Sequence, residues 1–208
     1  MKKTLKELKY SLYLSVHPFK GFWDIKYEKE GSLKTAIILL TMTILVTIAE
    51  NVWTGYLFGG VSVHYNMLLT VSSLLFLYFA WCTANWCLTC LSDGKGTFKD
   101  IAIFTAYSMT PYIIIRLIMI VVSNTFILRE EVFYNMLGGL SLTWVAFLLI
   151  TGMLTTHHFT LTRTLVVLLF TLVGMIVIAL LIVLVFAMLQ EVLSFVSTVV
   201  DELLLRYS

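Results

Sequence analysis

The chain has 208 residues, of which 60% are apolar and only 12% are charged, with a formal net charge of +2. Soluble domains are roughly a quarter charged, because charge is what holds their surface in water. So little charge excludes a water-facing globule and selects lipid as the solvent.

The first thirty-two residues are polar and basic. No short apolar core with a cleavage site opens the chain, so a removable signal peptide is not expected. In MKKTLKELKYSLYL, Leu5, Leu8 and Leu12 recur at helical spacing, while Lys2, Lys6 and Lys9 fall on another face. That pattern predicts a short amphipathic helix at the membrane interface, with its lysines near anionic headgroups. Pro18 is expected to end it. Phe19, Phe22, Trp23 and Tyr27 follow as interfacial anchors.

Five apolar runs come next, at about 33–57, 66–91, 101–122, 132–155 and 164–189. Each reaches the roughly twenty residues that carry a helix across a 30 Å hydrocarbon core. They are too long and too evenly apolar for barrel strands, and backbone groups in lipid must be paired within the segment, so they are helices. The expected fold is therefore an all-α integral membrane protein. It is a five-transmembrane-helix bundle spanning residues 33–189, preceded by a 1–32 cytoplasmic interfacial segment. Beyond 189, Val192, Leu193, Val196, Val199 and Val200 oppose Glu191, Ser194, Thr198 and Asp201. Residues 190–208 read as an amphipathic extracytoplasmic tail continuing the last helix.

Orientation follows from lysine and arginine. With five spans, eleven of the fourteen basic residues fall on the side of the N-terminus and of the second and fourth connections. The other side receives Arg129 and Arg206, and Arg116 lies within a span. The expected topology has a cytoplasmic N-terminus and an extracytoplasmic C-terminus.

Depth can be counted along the helices. Glu50 is sixteen residues past Lys34, and Arg116 sixteen past Asp100. Each is about 24 Å along a helix running the same way, so the two should be level, and an ion pair would relieve the cost of each charge in lipid. Pro111 lies near the midplane and leaves the carbonyl of Tyr107 without its helical donor, which predicts a kink. Asn85 and Tyr107 are each seven residues from a boundary, at Ser92 and Asp100. With Thr89 and the freed carbonyl they could form an interhelical polar network. Glu50, Arg116, Asn85, Tyr107 and Pro111 thus make one candidate intramembrane polar seam.

Other features carry less. Cys82, Cys87 and Cys90 lack zinc-ligand spacing and read as small core residues. His157 and His158 are adjacent and read as a solvated loop. SDGKGTFKD lacks the spacing of a phosphate loop and the carboxylates of a calcium loop, leaving a tight turn. No zinc-protease helix and no G-x-S-x-G motif is present. No catalytic residue, cofactor, metal or nucleic-acid partner is expected.

The order HPFKGFWDIK, five close spans, and TFKDIAIFTAYSMTP at the start of the third resembles the Yip domain family, the Rab-GTPase-interacting five-span membrane proteins. The carrying element is a small residue and Tyr107 followed by Pro111. The resemblance implies the five-span fold and the same topology. Eukaryotic members act in vesicle traffic and bind prenylated Rab-type GTPases. They carry a long N-terminal region with an aspartate-leucine-tyrosine-glycine-proline signature, which this chain lacks. The chain is more similar to the short bacterial members, which implies a multi-pass plasma-membrane protein. The expected role is non-enzymatic: organising or assisting other membrane components, with a membrane-protein partner or a second copy. The alternative is a small transporter, or an accessory subunit of one, using the polar seam.

Overall fold

The structure is a computed structural model that describes residues 2–55, 66–127 and 130–207. The first connection from Gly59-Gly60 to Tyr65, Arg129 and the side chain of Lys2 lie outside the described residues. Among the described residues every regular element is a helix: α1 Lys2–Val16, α2 Pro18–Tyr27, α3 Leu33–Trp53, α4 Met67–Leu91, α5 Phe98–Ser108, α6 Thr110–Ser123, α7 Glu131–His157 and α8 Leu161–Tyr207. Five stretches are long and apolar enough to cross a membrane: α3, α4, α5 with α6, α7, and α8.

Local chemistry sets the helix ends. Ser32 caps α3 by accepting from the Thr35 amide at 3.3 Å. Asn66 caps α4 by accepting from Leu68 and Leu69 at 3.1 and 3.3 Å. Thr97 and Asp100 form a reciprocal capping box at the start of α5. Each cap satisfies amide donors that have no partner within the helix. Pro18 ends α1 as expected, but it also starts α2, since its missing amide costs nothing in a first turn. The aromatic stretch after it is therefore a second helix.

The third span breaks at Met109, between α5 and α6, two residues before Pro111. Pro111 cannot donate to the Tyr107 carbonyl. The Thr110 hydroxyl donates to it instead, at 2.8 Å. This span is the most enclosed of the five. Around it the core gathers Leu39, Trp81, Phe104, Tyr107, Leu148 and Met153.

α4 packs on α5 and on α8, where Gly174 of α8 comes close to Ala84 and Leu88 of α4. Its polar contacts to α5 run from the Tyr78 hydroxyl to the Ala102 carbonyl at 2.7 Å and from Trp81 Nε1 to Thr105 Oγ1 at 3.2 Å. α8 is a single helix of 47 residues, about 70 Å long. Among the described residues it buries Thr164, Val167 and Thr171 near its start, and everything from Leu180 on is exposed.

The N-terminal pair α1–α2 docks on the bundle. Leu14 and Phe22 are fully within the core. The hairpin closes on itself through the Tyr10 hydroxyl, which donates to Asp24 Oδ2 at 2.6 Å, and through Lys6 and Glu30, paired at 2.7 Å. That bond holds the Lys6 ammonium above the usual lysine range. The buried Glu7 carboxylate accepts from the hydroxyls of Ser32 and Thr35 at the start of α3.

Candidate functional site

The seam resolves into two levels. At the upper one, toward the face opposite the N-terminus, Arg116 of α6 is hydrogen bonded to Glu50 of α3, and each side chain keeps 17% exposure. The Arg116 guanidinium lies 5.0 Å from the ring centre of Tyr112. Tyr112 shares a 3.3 Å hydrogen bond with Thr47 of α3. Tyr134 of α7 closes the cluster beside Thr54, Glu50 and Arg116. The helix ends above are tied as well: Ser123 accepts from the Gly55 amide at 3.0 Å, and Asn124 donates to the Trp53 carbonyl at 3.2 Å. α3 and α6 are thus fastened by the ion pair, by the Tyr112–Thr47 hydrogen bond and by the contacts between their ends. The arginine Nε is buried without a partner.

The lower level is split. Asn85 is fully buried and donates to Met153 Sδ of α7 at 3.2 Å, leaving its Oδ1 unpartnered. Thr89 turns back onto the Asn85 carbonyl of its own helix at 2.8 Å. Tyr107 is fully buried too, but its hydroxyl points away from Asn85, toward Thr35, Ser32 and Glu7, without a well-formed hydrogen bond. Asn85 and Tyr107 face different neighbours, so no single network joins α4 to α5 through them. Pro111 is buried and lines no polar group beyond the carbonyl it frees.

At the N-terminal face, Lys6 and Lys9 stand exposed on α1 and Trp23 is half exposed on α2. The Trp23 and Tyr27 rings lie tilted against each other at 4.3 Å, and both meet His158.

His158 is exposed, but His157 departs from the solvated reading. His157 is buried, and its Nδ1 accepts from the Gly96 amide at 3.3 Å. The 92–96 turn wraps the ring so closely that a Cβ on Gly96 would lie 2.5 Å from His157 Cε1, and one on Gly94 2.6 Å from Nδ1. The glycines of this turn provide close approach to an imidazole. Lys26 adds a bond to the Lys95 carbonyl at 3.3 Å and another to the Thr156 carbonyl. Burial pulls the Lys26 ammonium below its usual range.

Two groups escaped sequence reasoning. Glu7 and Asp24 are buried carboxylates within a segment read as surface. The available signal was that Glu7, Ser11 and Leu14 share a helical face. Among the described residues no cluster of three metal-binding side chains occurs. Cys82 is buried, and Cys87 and Cys90 are exposed free thiols on α4.

Five apolar helices and a charge-paired polar seam define a multi-pass helical membrane protein. The model of the Yip1 domain matches residues 12–199, so the chain belongs to the Yip1 domain family. No curated protein and no solved structure matches it.

Proposed function

We propose that this is a non-enzymatic plasma-membrane protein that organises or assists other membrane components. Its N-terminal face is turned to the cytoplasm and its C-terminus outward, with the lysines of α1 at anionic headgroups. The observation that carries this reading is the enclosure of the seam. Asn85 and Tyr107 are completely buried, and Glu50 and Arg116 are spent on each other. Polar groups used this way hold helices together. The surfaces left for a partner are then the turn at 92–96 and α8.

The test is purification in mild detergent with identification of co-purifying proteins, from the native chain and from two variants. A Lys95→Glu/Arg163→Glu change, in the turn and in the start of α8 that bonds to it, should lose the partner, while Asn85→Ala should keep it. The reverse pattern would contradict the reading. The second reading, a small transporter or accessory subunit, is favoured by the buried unpartnered atoms Asn85 Oδ1, Tyr107 Oη and Arg116 Nε. It requires water to reach them.

A further inference from the structure

We propose that α1–α2 is a re-entrant hairpin, sunk to the middle of the bilayer with its outward face against lipid acyl chains. This goes beyond the reading above and is independent of the choice between organiser and transporter.

The depth follows from what the hairpin touches. α3 has 21 residues, about 31 Å of helix, for a hydrocarbon core of about 30 Å. It has no turn to spare, so its first turn marks the membrane boundary. Glu7 is bonded to Ser32 and Thr35 at that turn. From there α1 climbs. The Ser15 carbonyl accepts from Trp144 Nε1 at 3.0 Å, and Trp144 is thirteen residues up α7 from His157, about 20 Å. α1 also packs on α6, the far half of the third span. α2 then descends along α7. Phe22 meets Phe104 edge-on at 6.3 Å, over Gly152, where a Cβ would be 3.4 Å from the Phe22 ring. Lys26 reaches the Thr156 carbonyl and Tyr27 reaches His158, back at the N-terminal face. From Tyr27 to the tip at Pro18 is about 13 Å of helix. The tip therefore lies near the midplane.

The outward side of the hairpin is apolar, where a helix packed in water would be polar. The side of α1 turned to the protein is mixed, with Glu7, Ser11 and Ser15 exposed 2%, 2% and 8% beside the fully buried Leu14. The side turned outward carries Leu5, Leu12 and Val16, exposed 56%, 50% and 70%, and α2 adds Phe19 at 57%. In water this arrangement would leave the outward apolar surface unburied. In lipid it is the expected one, since acyl chains are as apolar as leucine. The outward charges sit low: Lys6 and Lys9 lie near the open end, and Lys20 is about 10 Å in, within reach of the headgroups along its aliphatic stem. His17, at the tip, stacks on Tyr13 at 4.6 Å. The area needing cover is at acyl-chain depth, so lipid is its occupant.

The experiment uses the full chain with its three cysteines replaced by alanine and single labels at Val16→Cys, Phe19→Cys or Glu28→Cys. All three sites are exposed, so labelling leaves the core intact. The nitroxide-labelled proteins are reconstituted into phosphatidylcholine–phosphatidylglycerol vesicles, and collision with oxygen is compared with collision with a water-soluble nickel complex. At positions 16 and 19 oxygen should dominate, and at 28 the nickel complex should. Nickel dominance at 16 and 19 would overturn the proposal by placing the tip in water. Protection from both relaxants would overturn it by placing protein, a second copy or a partner, over the face.

Discussion

Glu50→Leu is the perturbation whose cost can be worked most directly. It leaves Arg116 in the far half of the membrane without its carboxylate. An uncompensated arginine deep in a membrane helix costs about 3 kcal/mol on insertion scales. The Tyr112 ring, 5.0 Å away, remains and offsets about 1 kcal/mol of that. The net loss is about 2 kcal/mol. Replacing both partners, Glu50→Leu with Arg116→Leu, removes the charge altogether and should cost less than either single change, within about 1 kcal/mol of the native chain. The assay is reversible unfolding in mixed micelles across the four members of a double-mutant cycle. A coupling energy of about 2 kcal/mol or more is expected for a direct pair. If the double variant loses the sum of the single losses, the two side chains act independently and the strut does not exist.

Three further outcomes follow from the same geometry. Gly96→Ala places a methyl 2.5 Å from His157 Cε1 and should destabilise by about 1–3 kcal/mol; His157→Ala in the same chain should recover most of it, as read from thermal unfolding. Thr110→Val strips the Tyr107 carbonyl of its donor and should cost about 1–2 kcal/mol, whereas Thr110→Ser, which keeps the hydroxyl, should cost much less. Glu7→Ala removes the acceptor of Ser32 and Thr35 and should loosen the hairpin, seen as faster proteolysis at residues 28–31 with the spans still protected.

The spans were legible because each is a long apolar run, and lipid leaves the backbone no other solution. The Glu50–Arg116 pair was legible because rise per residue gives depth and two long side chains tolerate error in azimuth. The Asn85–Tyr107 pairing was not, for the complementary reason. Counting placed them level, but the short Asn85 and the rigid ring of Tyr107 bond only when their faces agree, and azimuth is set by packing: Asn85 turns to Met153, Tyr107 to Thr35. The N-terminal hairpin was half legible. Its helical spacing was readable from Leu5, Leu8 and Leu12, but leucine spacing marks the apolar face without saying what covers it, and the docking face is carried by Glu7, Ser11 and Leu14. His157 was hidden because nothing local in TTHHF reports that the 92–96 glycines close over it.

The claim that the seam is structural glue in a dry core is tested most directly at Asn85. In a cysteine-free chain in vesicles permeable to the reagent, Asn85→Cys should remain unlabelled by a small water-soluble maleimide while Lys95→Cys, in the exposed turn, labels fully. Rapid labelling at position 85 would show that water reaches the seam and would contradict the account.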